Sequence, residues 1–221
     1  MLVPSTEGLD PQVDRTHGTH RTARTAPGTH RARDDSRAGS RRGASGPVVM
    51  GVVNVTPDSF SDGGRYADTD AAVAHGRSLL SEGADVLDIG GESTRPGATR
   101  PLVREELDRV VPVIAALSAD GAVVSVDTMR AEVAAEALSA GASIVNDVSG
   151  GLADPEILAV TAAAGATYIA MHWRAHADRM AEMTTYDGPG GVVGGVRREL
   201  AARVEDLLAA GIAEHRIVLD P

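Results

Sequence analysis

Apolar residues follow two alternating patterns from residue 46 onward, and each pattern is typical of one kind of buried element. Short runs rich in β-branched residues predict strands at 48–55, 86–89, 123–126, 144–146, 168–171 and 217–219. Helical spacing predicts helices at 70–82, 103–117, 130–140 and 196–208, and Asp154-Pro155 is typical of an N-cap and first position of one more. The chain is therefore predicted to alternate strand and helix.

A glycine separates each predicted helix from the strand that follows it. Glycine accepts the left-handed backbone conformation with which many helices end. The glycines at these positions are Gly83, Gly121, Gly141, Gly165 and Gly211. This repeating unit predicts a parallel sheet, and the continuously apolar strands agree, because parallel strands are covered on both faces.

Two architectures of the α/β class fit this order of elements, an open doubly wound sheet and a (β/α)8 TIM barrel. A complete barrel has eight strands and eight helices, typically in about 250 residues. Residues 46–221 supply 176 positions, six predicted strands and five predicted helices. If the fold is a barrel, this sequence is expected to contain an incomplete one, truncated at its C-terminus.

Residues 1–45 differ in composition from the rest of the chain. They hold eight Arg and five acidic residues but almost no bulky apolar residue, so we expect a disordered N-terminal extension. The alternatives are a targeting segment and a start codon assigned too far upstream. Because the whole chain has a net charge of −10, residues 46–221 carry −13, and this acidic domain disfavours nucleic acid as a partner.

Two features that the sequence lacks bear on the location of the protein in the cell. No apolar run approaches the roughly 20 residues that a membrane-spanning helix needs, so we expect no membrane association. The sequence has no Cys, which excludes disulfides, thiolate nucleophiles and Cys metal sites. These features together favour a cytoplasmic protein, because disulfides are rare in a reducing compartment.

Polar side chains stand at or just beyond the end of every predicted strand. They are Asn54, Asp88 with Glu92, Asp127, Asn146 with Asp147, His172 and Asp220. In α/β folds, ligands bind outside the carboxyl ends of parallel strands, so we interpret this ring of polar residues as a binding site. The alternative for any single position is a helix N-cap, since Asp and Asn are favoured there.

The residue types in the ring limit its chemistry. The ring contains Asp and Asn but neither Lys nor Cys, and it has a single His, so a nucleophile–base pair and a zinc site are both disfavoured. A carboxylate accepts parallel hydrogen bonds from a ring N–H and an exocyclic amine, and an Asn amide offers both a donor and an acceptor. The ring therefore suits a planar ligand such as a pterin. The glycine-rich stretches 61–64 and 90–91 match no phosphate-binding motif and suggest mobile loops.

Four sequence motifs together resemble the dihydropteroate synthase family. MGVVNVTPDSFSDGGRY occupies 50–66, DVLDIGGESTRPGA occupies 85–98, SVDTMR occupies 125–130 and IVNDVSGG occupies 144–151. Met171-His172 and the terminal Leu219-Asp220-Pro221 extend the resemblance over all of residues 48–221. The long first two motifs make it specific, and His172-Trp173-Arg174 resembles actinobacterial members.

The resemblance implies a (β/α)8 barrel, usually a homodimer, that condenses 6-hydroxymethyl-7,8-dihydropterin diphosphate with 4-aminobenzoate and releases diphosphate. It implies that Asp127, Asn146 and Asp220 bind the pterin and that Asn54 binds a Mg²⁺ ion. It assigns further substrate contacts to Phe60, Thr94, Arg95, Pro96 and Met171. By the same resemblance, Asp127, Asn146 and Arg95 are the catalytic residues.

The sequence departs from the family at its end. The family continues beyond Asp220-Pro221 with a Ser-Arg-Lys segment on a seventh strand and an Arg-x-His segment on an eighth, so we expect an incomplete chain. One alternative is a non-catalytic pterin-binding remnant. Another is a methyltetrahydrofolate methyltransferase, which the loop at 56–64 and the Ser-Thr-Arg-Pro-Gly stretch at 93–97 disfavour, because that enzyme holds no aminobenzoate.

Overall fold

The structure is a computed structural model that describes residues 46–56, 64–92, 100–176 and 179–221. The predicted disorder of residues 1–45 lies outside these residues, as do positions 61–63 of the predicted loop at 61–64, whereas Gly64 begins a helix. No helix within the four described ranges is long and apolar enough to cross a membrane.

Six strands and five α-helices alternate along the described chain. The strands are β1 (Met50–Asn54), β2 (Val86–Gly90), β3 (Val124–Asp127), β4 (Ile144–Asp147), β5 (Thr167–Met171) and β6 (Ile217–Asp220). The helices are α1 (Gly64–Glu82), α2 (Val103–Ala119), α3 (Ala131–Ser139), α4 (Glu156–Ala164) and α5 (Gly191–Ala209). The predicted order is confirmed. Helices α1 and α5 begin several residues earlier than predicted. The apolar spacing did not reveal these first turns, because they lack a regular apolar stripe.

The strand order decides between the two architectures that the sequence left open. The six strands form one sheet in the order β1-β2-β3-β4-β5-β6, and every neighbouring pair is parallel. A doubly wound sheet reverses its strand order at a switch point, whereas a (β/α) barrel adds its strands consecutively. The predicted barrel architecture, with six strands and five helices, is therefore confirmed for the described residues.

The convex face of the sheet forms the hydrophobic core with the helices. The side chains of Val53, Ile89, Val126, Val145 and Tyr168 are paired in one row across five strands, and all are 0% exposed. Burial of an aliphatic side chain contributes about 1.5–3 kcal/mol. Side chains alternate between the two faces of a strand. The residues next to this row, including Asn54, Asp127 and Asn146, therefore lie on the opposite, concave face.

The five glycines that follow the helices adopt the predicted left-handed conformation. Their φ angles are 113° at Gly83, 88° at Gly121, 113° at Gly141, 62° at Gly165 and 95° at Gly211. A side chain is disfavoured at such angles, and at Gly141 a Cβ atom would also lie 2.7 Å from the Cβ atom of Ser118. Each glycine therefore reverses the chain from a helix into the next strand.

The start of α4 differs by one residue from the prediction. Pro155, rather than Asp154, is the N-cap residue, and the helix begins at Glu156. The Asp154 carboxylate instead accepts hydrogen bonds from the backbone N–H of Ala131 at 2.8 Å and, more weakly, of Glu156 at 3.3 Å. Asp154 thereby connects the N-termini of α3 and α4. The prediction that Asp154 caps a single helix is therefore wrong.

Asp147 faces the helices and organises the loop after β4. It is 0% exposed and accepts four hydrogen bonds, from the N–H and hydroxyl of Ser149 at 2.7 Å each, the N–H of Gly151 at 2.9 Å and the hydroxyl of Tyr168 at 2.6 Å. These donors satisfy a buried carboxylate. The sequence grouped Asp147 with the ring of ligand-binding residues, which is wrong, because the strand alternation directs only Asn146 inward.

Removal of the Tyr168 hydroxyl should lower the stability of this loop. We expect Tyr168→Phe to reduce the free energy of unfolding by about 1–3 kcal/mol, because the buried carboxylate of Asp147 loses a hydrogen bond. Urea unfolding measures the change. Tyr186→Phe is the matched control, since Tyr186 contacts Arg174 through its ring face. Equal effects of the two substitutions would contradict the role assigned to the Tyr168–Asp147 bond.

Candidate functional site

Four residues on the concave face form a continuous row at the carboxyl end of the sheet. The strand register pairs Asn54 with Gly90, Gly90 with Asp127, and Asp127 with Asn146. Paired positions on neighbouring strands lie about 4.8 Å apart. The structure therefore brings together Asn54, Asp127 and Asn146, as the sequence predicted.

Gly90 leaves a gap in this row into which two side-chain oxygens project. A Cβ atom at Gly90 would lie 3.2 Å from Oδ2 of Asp127 and 3.6 Å from Oδ1 of Asn54. Both oxygens therefore border the space that a larger residue would occupy. The absence of a side chain at Gly90 keeps this part of the site open to a ligand.

Asp88 belongs to the site, as its place in the predicted ring of polar residues indicated, although the family resemblance assigned it no role. It is 4% exposed, and its Oδ2 atom accepts a hydrogen bond of 2.9 Å from Nδ2 of Asn146. Its Oδ1 atom is buried without a well-aligned hydrogen bond, although Ser125 occupies the paired position on β3. Burial raises the pKa of Asp88, an increase that hydrogen bonding only partly offsets. The available signal was an acidic residue inside the otherwise apolar strand β2.

Asp127 lies in an environment that disfavours negative charge. Burial, together with nearby negative charges, raises the pKa of Asp127 to about 7. Those charges belong to Asp88, Glu106, Asp147 and Glu92. Asp127 is therefore poised between its protonated and ionised forms at neutral pH, and a ligand with N–H donors would favour the ionised form.

Asp220 and Met171 lie at the same end of the sheet on its last two strands. They are paired with each other, and the backbone N–H of His172 donates a hydrogen bond of 2.8 Å to the Asp220 carbonyl oxygen. Asp220 is exposed and Met171 is half-buried. Both occupy the predicted carboxyl edge, farther along the strands than the row of Asn54, Asp127 and Asn146.

His172 is bound to α5 rather than free to act in the ring. Its Nε2 atom lies 2.8 Å from Oε2 of Glu199, and Arg174 approaches the same carboxylate at 2.7 Å and 3.0 Å. Hydrogen bonding from Arg174 lowers the pKa of Glu199 to about 2, with a smaller contribution from His172. Arg174 also lies over the ring of Tyr186, at 3.9 Å from its centroid. This cluster connects the residues directly after β5 to α5.

Comparison with known proteins places the chain in a family. The family model described as "Pterin binding enzyme" matches residues 50–221, which is most of the chain. The chain belongs to the pterin-binding enzyme family. The carboxylates and the amide of the concave face are therefore the candidate pterin-binding groups of this chain.

The relatives of this chain include several dihydropteroate synthases. The chain is 51% identical over 175 residues to the Mycobacterium leprae protein, covering 78% of this chain and 60% of that one. A solved Xanthomonas albilineans dihydropteroate synthase with 4-aminobenzoic acid matches with 48% identity and a TM-score of 0.70, covering 79% of this chain and 61% of that one. A Burkholderia cenocepacia dihydropteroate synthase complexed with 7,8-dihydropteroate matches with 38% identity and a TM-score of 0.68, over 80% and 59%. The chain spans about three fifths of the length of these relatives.

Four predicted substrate-binding residues lie outside the described part of the chain. They are Phe60, Thr94, Arg95 and Pro96. The described residues Thr56 and Glu92 precede the two corresponding segments, and Gly64 and Arg100 follow them. The roles of the four residues, including catalysis by Arg95, stay predictions.

The raised pKa of Asp127 predicts a pH-dependent gain in stability when its charge is removed. The folded protein binds the Asp127 proton more tightly than the unfolded chain does. Protonation of Asp127 therefore adds to the free energy of unfolding of the wild type at acidic pH, and this contribution is lost as pH rises through about 7. We expect Asp127→Asn to be more stable than the wild type, with an advantage that grows by about 1–3 kcal/mol from pH 5 to pH 8.

Urea unfolding across that pH range measures the effect. Asn146→Asp is the reciprocal variant, because it adds a carboxylate beside Asp88, and its stability should fall over the same range. An advantage of Asp127→Asn that is independent of pH would contradict the electrostatic account.

Proposed function

We propose that this chain carries the pterin site of a dihydropteroate synthase, which condenses 6-hydroxymethyl-7,8-dihydropterin diphosphate with 4-aminobenzoate. The observation that carries the proposal is the pair formed by Asp127 and Asn146, adjacent on β3 and β4 at the carboxyl end of the sheet. The similarity to dihydropteroate synthases supports the same reaction.

The hydrogen-bonding groups of the site complement the edge of a pterin. Asp127 in its ionised form accepts hydrogen bonds from a ring N–H and an exocyclic amine. Asn146 directs its amide nitrogen to Asp88, so its carbonyl oxygen is left to accept from the ligand. Asp220 supplies a further carboxylate, and Met171 supplies an apolar surface at the same edge.

The proposed reaction needs no protein nucleophile. The C–O bond of the pterin hydroxymethyl group breaks, diphosphate leaves with the electron pair, and a cationic methylene remains. The amine of 4-aminobenzoate forms the new C–N bond and then loses a proton to solvent. Buried carboxylates near the pterin stabilise the developing positive charge. The concentration of acidic groups around Asp127 suits this role.

Asn54 is the proposed protein ligand of a Mg²⁺ ion. Mg²⁺ prefers oxygen ligands and is often held by one or two protein groups together with substrate phosphates. The donor set fits, because Asn54 is exposed and its Oδ1 atom borders the gap at Gly90. Within the described ranges, no group of three or more His, Cys, Asp or Glu residues could hold a metal without the substrate. When bound, the ion would neutralise negative charge on the departing diphosphate.

The remaining parts of the proposal rest on the family resemblance. Phe60, Thr94, Arg95 and Pro96 would line the 4-aminobenzoate side, where the Arg95 guanidinium suits a carboxylate. A homodimer and a cytoplasmic location complete the proposal. The acidic domain agrees with small-molecule substrates rather than nucleic acid.

Product formation and ligand binding test the proposed function together. The chain is incubated with both substrates and Mg²⁺, and dihydropteroate is measured by chromatography. We expect Asp127→Ala to reduce product formation at least about 100-fold while far-UV circular dichroism stays unchanged, because the site loses its central carboxylate.

Calorimetric titration with 6-hydroxymethylpterin gives a second measurement that does not depend on turnover. Asp127→Ala should weaken this binding at least about tenfold, because the substitution removes a charge-assisted hydrogen bond to the ligand. Ser143→Ala is the control, since Ser143 lies outside the site before β4. Unchanged pterin binding by Asp127→Ala would remove Asp127 from the site, and no binding by the wild type would contradict the proposed function.

A further inference from the structure

Glu106 is a fully buried carboxylate on α2 that the proposed chemistry does not use. It is 0% exposed and lies on the buried face of the helix, together with Val110, Val113 and Leu117. Acidic residues are almost never fully buried unless they are paired. The partners of Glu106 therefore show what its carboxylate does.

Both partners of Glu106 belong to the segment that directly follows Asp127. The Thr128 hydroxyl donates a hydrogen bond of 2.6 Å to Oε1 of Glu106, and Nη1 of Arg130 donates one of 2.6 Å to Oε2. The Thr128 hydroxyl oxygen in turn accepts a hydrogen bond of 3.2 Å from the Arg130 backbone N–H. Glu106 thus fixes the backbone one and three residues beyond Asp127.

The same cluster reaches both ends of the connection between β2 and α2. Nη2 of Arg130 donates a hydrogen bond of 2.7 Å to the carbonyl oxygen of Pro101. At the other end, a Cβ atom at Gly91 would lie 3.1 Å from Cγ of Glu106, so the Gly91 backbone packs directly on this side chain. Nη1 of Arg109 also donates a hydrogen bond of 2.9 Å to the Gly91 carbonyl oxygen.

Stability alone does not explain a charged group at this position. A buried ion pair loses much of its attraction to desolvation, and well-packed apolar residues often stabilise a protein equally well. The Glu106–Arg130 pair is buried on both sides, with exposed side-chain fractions of 0% and 14%. Its hydrogen bonds instead lead to the residues that border the candidate site.

We propose that Glu106 is a positioning residue of the pterin site, which holds the backbone beyond Asp127 in place through Thr128 and Arg130. The inference rests on the proposed function in naming a pterin as the ligand. The same contacts tie the end of β3 to Gly91 and Pro101, so ligand binding at Asp127 depends on a carboxylate that does not touch the ligand.

The charge of Glu106 also acts on Asp127. Burial is the main cause of the raised pKa of Asp127, and Glu106 is among the negative groups that add to it. The negative groups that act on Asp127 are Asp88 on β2, Glu92 after β2, Glu106 on α2 and Asp147 on β4, and Glu106 is itself paired with Arg130. Removal of the Glu106 charge should lower the pKa of Asp127, because it removes one of the negative charges that repel the ionised form.

The test compares Glu106→Gln with Glu105→Gln, which removes the same charge one residue away. Glu105 is exposed, and its carboxylate accepts a hydrogen bond of 2.9 Å from the Leu102 N–H, which a glutamine also accepts. Carbon-13 NMR of Asp-labelled chain follows the titration of Asp127 without any ligand. We expect Glu106→Gln to lower its midpoint by at least about 0.5 pH unit and Glu105→Gln to leave it in place.

A shift in the Asp127 titration shows that the Glu106 charge acts on the site, whereas a role in stability alone would change only the free energy of unfolding. An unchanged midpoint in Glu106→Gln, or equal shifts in both variants, would overturn the inference. Failure of the wild type to bind 6-hydroxymethylpterin would count against the proposed function, and the titration would still decide the role of Glu106.

Thr128→Val keeps the inference testable if Glu106→Gln does not fold. Valine has nearly the same shape but cannot donate to Glu106, so the backbone beyond Asp127 loses one of its two connections. We expect 6-hydroxymethylpterin to bind about 3- to 10-fold more weakly, as the loss of one hydrogen bond implies. Wild-type affinity in folded Thr128→Val would also overturn the positioning role.

Discussion

The candidate site depends on the burial of negative charge at one end of a parallel sheet. Asp88 and Asp127 lie on neighbouring strands, burial raises the pKa of both, and like charges add to the effect at Asp127. This arrangement costs stability at neutral pH. The fully buried apolar row on the convex face, which includes Ile89 and Val126, supplies the compensating core.

Helices α2 and α5 contact the residues that follow the strands through a few polar side chains. On α2, Glu106 holds Thr128 and Arg130, while on α5 Glu199 holds His172 and Arg174. Thr128 and Arg130 directly follow β3, and His172 and Arg174 directly follow β5. The sheet therefore places the ligand-binding groups, and buried or half-buried carboxylates on the helices orient the loops between them.

Much of this fold could be predicted from the sequence, because the spacing of apolar residues and the glycines between helices and strands are local signals. The glycines that end the helices, such as Gly83 and Gly165, adopt the expected conformation, and the strand ends bring Asn54 and Asp127 together. The direction of Asp147 could not be predicted from polarity alone, since it depends on which strand face meets the helices.

Glu106 shows a second limit of prediction from local pattern. It follows Val103 by three residues and precedes Val110 by four, so it occupies the apolar stripe of α2. That spacing signals a buried charge, but its partners Thr128 and Arg130 are more than 20 residues away and become visible only in three dimensions.

The number of protons released when 6-hydroxymethylpterin binds is the most direct test of the buried-carboxylate account. Calorimetry in buffers of different ionisation enthalpy gives this number at several pH values. Because the pKa of Asp127 is about 7 and the ligand requires its ionised form, binding at pH 6 should release about one proton, and the release should fall as pH rises through 7. Binding without proton release at pH 6 would contradict the account.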